Sequence, residues 1–260
     1  MNYPLTNIHP EAKIGQNVII EPFTTIAKDV VIGEGTWVGP NVSIMDGARI
    51  GKNCKIFPGS VISASPQDLK YRGEPSTVIV GDNTTIRECV TLNKGTELDR
   101  NTTIIGENCL IMAYVHVGHD CVINNNVIIA NSVQLAGHIE VQDYVYIAGV
   151  SAVHQFVKIG AHAMVAGGSL VRKDVPPYTK AGREPLSYCG INSVGLKRRG
   201  YTNEKINEIQ DIYRNIFLKG LNISKALDVV ETEMTASKER DEIISFIRNS
   251  ERGVMKGFNE

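Results

Sequence analysis

Large aliphatic residues recur at every sixth position along most of the chain. Ile8, Ile14, Ile20, Ile26, Ile32, Val38, Ile44, Ile50, Ile56 and Ile62 follow one another at that interval without a miss. The phase breaks at Ser63, returns at Val80, Ile86 and Leu92, and breaks again. From Ile105 it runs through Ile111, Val117, Ile123, Ile129, Leu135, Val141, Ile147, Val153, Ile159 and Val165 to Val171. A helix needs apolar positions 3.6 residues apart, and a half-buried strand needs simple alternation, so a period of six fits neither. Short strands joined by tight bends do fit. The large side chain then fills the interior, and the position four residues further on is small or β-branched, as at Thr24, Val30, Thr36, Cys54, Ser60, Cys109, Cys121 and Ser151. Glycine often follows the large residue directly, as at Gly15, Gly33, Gly51, Gly81, Gly106 and Gly160.

Three six-residue sides close an eighteen-residue coil, and stacked coils pair their backbones at ~4.8 Å, as neighbouring strands do. Roughly eight coils make a prism ~40 Å long. Two segments, 63–77 and 93–103, break the period and are rich in turn and charged residues. They are expected to leave the prism as loops, where function concentrates on rigid scaffolds. Past Val171 the pattern dissolves, and Ile206, Ile209, Ile212, Tyr213 and Ile216 take up helical spacing from about Thr202. Further helices are expected to begin near Ser224 and near Asp241. The fold class is therefore an all-β parallel β-helix over residues 1–190 with a C-terminal α-helical appendage over 191–260. The appendage is expected to cover the open end of the stack, as terminal caps do in solenoids.

Composition narrows the function. Lys and Arg number 27 against 28 Asp and Glu, a net charge of −1, so the global basic field that grips nucleic acid is absent and any anion site must be local. The 5 cysteines are odd in number and contain no CxxC pair, which argues against a disulfide framework and against a thiolate zinc site. A secretory leader pattern and a run of ~18 apolar residues are both missing. The expectation is a soluble cytoplasmic protein with no transmembrane segment.

The coil arithmetic sorts the 6 histidines. Val117, Leu135 and Val153 are eighteen apart and occupy one side of three successive coils. His119, His138 and His154 follow them by two, three and one residues, and His116 sits just before the same corner. These rings are expected along one edge of the prism, with Asp120 beside His119. A neutral imidazole with a carboxylate neighbour is a natural general base. The same cluster could bind a metal, as histidines do across subunit interfaces in trimeric hexapeptide-repeat carbonic anhydrases, which makes a hydratase the alternative. A non-catalytic β-helical scaffold is the third reading.

An ordered set of motifs separates these readings. QDLKY at 67–71, GEP at 73–75, HVGHDC at 116–121, LAGH at 135–138, AVHQF at 152–156, DVPPY at 174–178 and GLKRRG at 195–200 follow one another in order along the chain. They resemble the bacterial UDP-N-acetylglucosamine O-acyltransferase family that opens lipid A synthesis. The resemblance implies a left-handed β-helix, since general crossover statistics would favour the right hand. It also implies transfer of an (R)-3-hydroxyacyl group from acyl carrier protein to the 3-hydroxyl of UDP-N-acetylglucosamine. The donor rides on the carrier's phosphopantetheine, and no metal or further cofactor is implied. His119 is then the base, Asp120 its orienting partner, and the Gly137 N–H the oxyanion donor. Asp68, Lys70, His116, His138, His154 and Gln155 become substrate contacts, with Asn192, Arg198 and Arg199 near the uridine nucleotide. Alone, Asp68 and Lys70 read as solvated loop charges, and Lys197 to Arg199 as a basic patch suited to a diphosphate or to an acidic carrier. The family also implies a homotrimer with sites between neighbours. One departure stands out: GREPLSY at 182–188 lacks a histidine that other members carry beside the acyl pocket, so chain length is left open.

Overall fold

Most ruler residues end a short strand whose preceding side chain faces outward, as in Ser43–Ile44, Val122–Ile123 and Tyr146–Ile147. Ile44, Ile123 and Ile147 are wholly buried. Registers are parallel and repeat every coil: Ile8 pairs with Ile26, Ile26 with Ile44, Val117 with Leu135, and Leu135 with Val153. The strands fall into three sheets of 9, 8 and 10 members, parallel except for the last strand pair of the third, which form the three sides of a left-handed coil. The computed structural model describes residues 3–257. Within them the 9 strands of the first sheet give a prism about 40 Å long.

Three residues past each ruler position the chain turns a corner, usually in the left-handed backbone region. Asparagine serves at Asn17, Asn53 and Asn126, with φ of 56°, 52° and 59°. Asparagine tolerates that region better than most side chains. On the corner after the first sheet the same position holds Asp120, His138 and Phe156, with φ of 58°, 62° and 65°. Placing these side chains where glycine would be easier costs about 1–3 kcal/mol each, which the surrounding coils hold in place.

Both interruptions leave from this one corner. The first follows the strand Val61–Ala64 and the second Thr91–Asn93, both in the first sheet, and the second sheet resumes at Thr77–Val80 and Thr102–Ile105. The two loops brace each other. Asn93 Nδ2 donates to Ser65 O at 3.1 Å, Lys94 N to Ala64 O at 3.0 Å, and Asn101 Nδ2 to Pro75 O at 2.9 Å.

The coil ends with Leu170–Val171 in the first sheet, while the third continues through Thr179–Gly182, parallel, and Ser187–Ile191, antiparallel. Four helices follow: α1 Ser193–Arg198, α2 Asn203–Phe217, α3 Ile223–Glu233 and α4 Lys238–Arg248. α4 starts earlier than its apolar spacing indicates because Ser237 caps it, accepting from Arg240 N. α1, too short to show a period, is capped by Asn192. The chain then returns to the prism, where Val254 bridges to Asp174 and Lys256 to Ser187. Tyr213, wholly buried on α2, donates its hydroxyl to Pro177 O, so the helices lie over the coil's last turn. Among the described residues no helix is long and apolar enough to cross a membrane.

Candidate active site

His119 follows the strand His116–Val117, where the first sheet meets its corner. Its Nδ1 lies 2.9 Å from Oδ2 of Asp120, whose carboxyl is wholly buried. That carboxyl takes Thr96 N at 3.0 and 3.1 Å and the Thr96 hydroxyl at 2.7 Å, while Asp120 N donates to Thr103 Oγ1 at 2.8 Å. Burial alone would favour the neutral acid, but the hydrogen bonds from His119 and Thr96 outweigh it and hold the Asp120 carboxyl below the usual carboxylate range. An ionised Asp120 fixes the proton of His119 on Nδ1 and leaves Nε2 as the basic atom. Nε2 faces the first loop, 3.9 Å from Asp68 Oδ2.

One coil further along, His138 lies edge-on to His119 with ring centroids 4.8 Å apart, and stacks on Phe156 at 4.5 Å. Its Nδ1 is 2.6 Å from Asp99 Oδ2, in the second loop. A cavity of about 380 Å3 opens beside it, lined by Asp99, Arg100, Phe156, Lys158 and Arg252 among others. Gly137 is required here: a Cβ at that position would lie 2.7 Å from both Cε1 and Nε2 of His119. The glycine lets the base lie directly against backbone.

The remaining expected residues divide. His116, half-buried, meets the Thr91 hydroxyl through Nδ1 at 2.8 Å, and burial, with the neighbouring His119 ring adding to it, pushes its pKa down. Lys70 is exposed, its backbone N–H bonded to Asp68 Oδ1 at 2.9 Å in a tight loop turn. His154 follows the next strand of the same sheet. It sits one residue past Val153, on the outer face and short of the corner, and its Nδ1 lies 3.1 Å from Gln155 O and 3.3 Å from Arg252. Phe156, three residues past Val153, takes the stacked place instead. Gln155 is exposed beside it.

Asn192, Arg198 and Arg199 lie on a different corner. Asn192 Nδ2 donates to His162 O at 2.9 Å, and Arg199 bonds Tyr144 O at 2.9 Å and covers the Tyr144 ring. Tyr144 and His162 turn the corner after the second sheet, so one chain does not bring these residues to His119. Arg198 is exposed at the end of α1.

Three contacts at this corner were beyond sequence reasoning: Thr96, Asp99 and Phe156. A signal for the two loop residues did exist. Ile62 and Leu92 occupy the same side of the coil as Val117, so both interruptions had to grow from the histidine corner.

Among the described residues a metal would have to use His119, Asp120 and His138, whose donor atoms lie within 4.8 Å of one another. Both Asp120 oxygens already accept from Thr96, and each ring's Nδ1 is engaged with a carboxylate. The layout is an oriented acid–base pair rather than a set of converging ligands. Cys121, two residues from His119, is no nucleophile: burial pushes its thiol up to about 12.

A base with a basic Nε2 set against backbone at a solvent-facing corner suits proton removal from a hydroxyl beside a carbonyl that must become an oxyanion. On a coil of six-residue repeats, that chemistry defines the class of hexapeptide-repeat acyltransferases. Comparison with known proteins narrows the class. Residues 174–255 match the family described as Udp N-acetylglucosamine O-acyltransferase, Domain 2, and residues 29–64 and 102–137 match the bacterial transferase hexapeptide repeats. An acyl-[acyl-carrier-protein]--UDP-N-acetylglucosamine O-acyltransferase from Myxococcus xanthus is 43% identical over 195 residues, 75% of this chain and 76% of that protein. The structure of a UDP-N-acetylglucosamine acyltransferase from Bacteroides fragilis superposes with a TM-score of 0.97 at 50% identity, over 98% of this chain and all of the other. Its counterpart from Francisella novicida gives 0.96 at 40% identity, over all of this chain and 95% of that one. The chain belongs to the UDP-N-acetylglucosamine O-acyltransferase family.

Proposed function

We propose that this protein transfers an (R)-3-hydroxyacyl group from acyl carrier protein to the 3-hydroxyl of UDP-N-acetylglucosamine, the opening step of lipid A synthesis. The observation that carries the mechanism is the 2.9 Å contact between His119 Nδ1 and the buried Asp120 carboxylate. It leaves Nε2 to take the sugar hydroxyl's proton as the oxygen attacks the thioester carbon. The carbonyl oxygen gains negative charge in the tetrahedral intermediate and accepts a hydrogen bond from Gly137 N–H, which donates to no other backbone group among the described residues. Collapse breaks the carbon–sulfur bond. The proton held by His119 passes to the departing phosphopantetheine thiolate, so the products are the ester and the free thiol. The chemistry closes without a metal or further cofactor.

Asp68, beside Nε2, and Lys70 in the same loop contact the sugar and the donor in this reading. His116, His138, His154 and Gln155 line the approach. Asn192, Arg198 and Arg199 hold the nucleotide from a neighbouring copy in a homotrimer, because within one chain they stand on another corner. The enzyme works in the cytoplasm, where acyl carrier protein supplies its donor.

Mass spectrometry of the products formed from UDP-N-acetylglucosamine and a ladder of 3-hydroxyacyl carriers tests the reaction. An O-acylated sugar nucleotide is expected, and His119→Ala should lower kcat by about 10²–10⁴. Near-normal turnover of that variant removes His119 as the base.

A further inference from the structure

The second loop, 93–103, does more at the site than form a wall. It reaches the catalytic corner with two side chains. Thr96 donates through both its backbone N–H and its hydroxyl to the Asp120 carboxylate, and Asp99 meets His138. Thr96 is itself 2% exposed, and its hydroxyl bond, at 2.7 Å, is shorter than the one from His119 to the same oxygen, at 2.9 Å. The two donors therefore compete for Oδ2. What Thr96 draws from that oxygen is not available to stabilise the imidazolium.

We propose that Thr96 is a positioning residue that sets the basicity of His119 by sharing the Asp120 carboxylate with it. This rests on the reading of His119 as the general base. A buried carboxylate that accepts several hydrogen bonds is a weaker acceptor toward each. With the Thr96 hydroxyl present, Asp120 orients the ring and stabilises its charged form only in part. Other groups facing His119 are Asp68 across the cleft, the His138 ring, and His116 at the foot of the same strand. None of them touches Asp120 Oδ2 through a hydrogen bond among the described residues.

The sign follows. Removing the hydroxyl concentrates the carboxylate's charge on His119, raises the stability of the imidazolium, and moves the acid limb of the kcat/KM profile to higher pH. Part of what a hydrogen bond to a charged group is worth reaches the ring, so a displacement of about half a pH unit or more is expected. Thr96→Val tests this in the full-length enzyme, with kcat/KM measured from pH 5 to 9. Thr96→Ala removes the same hydroxyl and takes its place if the valine does not fold. Thr96→Ser keeps the hydroxyl and should return the limb to its wild-type position. The proposal is overturned if the valine or alanine profile overlays that of the wild type, or if serine shifts the limb as far as they do. His119→Ala run alongside separates the two readings. If it stays active the base assignment fails, whereas an inactive His119→Ala with an unmoved Thr96→Val profile sinks the Thr96 role alone.

Discussion

Gly137 shows how little room the site leaves. The glycine's missing Cβ is the space in which the edge of the His119 ring lies. The ring cannot retreat freely, since Asp120 anchors its other side. Gly137→Ala should therefore turn the imidazole off its axis and cost about 10²-fold or more in kcat, with folding and mass unchanged; steady-state kinetics would show it. A variant within twofold of the wild type would mean that the ring does not lie over residue 137 during turnover. At this scale the sequence was partly legible. His119 and Asp120 are adjacent in the chain, so their pairing needed no folding to foresee. Which ring stacks on His138 was not legible from the ruler alone: an offset of three residues turns a side chain at the corner, as for Asp120, His138 and Phe156.

Among the elements, the regular coil was readable because every side repeats one spatial instruction: a large aliphatic inward, then a bend. The loops carry no such period. Their targets, Thr96 on Asp120 and Asp99 on His138, depend on how two irregular segments fold against each other. The helical appendage was visible in the spacing of α2, but its attachment was not. That attachment centres on His162, which stacks between Tyr144 and Tyr178 with ring centroids at 4.9 and 5.4 Å. Tyr178 in turn bonds Glu242 of α4 at 2.6 Å. Burial, with the nearby Arg199 charge, pushes the His162 pKa from 6.5 down to about 4, while Asp143 opposes the shift and Lys238 adds to it. The unfolded chain accordingly takes up this proton first. Stability is flat above about pH 6.5 and falls as the pH drops from there toward 4. His162→Phe keeps a flat ring without the titration, so its Tm should decline less than that of the wild type between pH 7 and 5. Equal declines would place the acid sensitivity elsewhere.

For the whole molecule, the separation of His119 from Arg198 is the central fact. If neighbouring copies complete each site, two inactive chains can rescue one another. A random mixture of His119→Ala and Arg198→Ala chains should recover about a quarter of wild-type activity, since each site needs an intact base from one copy and an intact guanidinium from the next. No recovery after co-expression, together with a monomeric mass in sedimentation, would refute the trimer.

The prism also fixes distances in an unusual way. Because the registers from Ile105 to Val165 advance by one coil at a time, height along the axis is quantised. Insertion or loss of one eighteen-residue turn between the catalytic corner and the helical cap would displace the cap by a single step of about 4.8 Å while leaving both ends intact. Divergence within such a scaffold can therefore change the span between its two working regions only in whole layers, and finer adjustment falls to side chains.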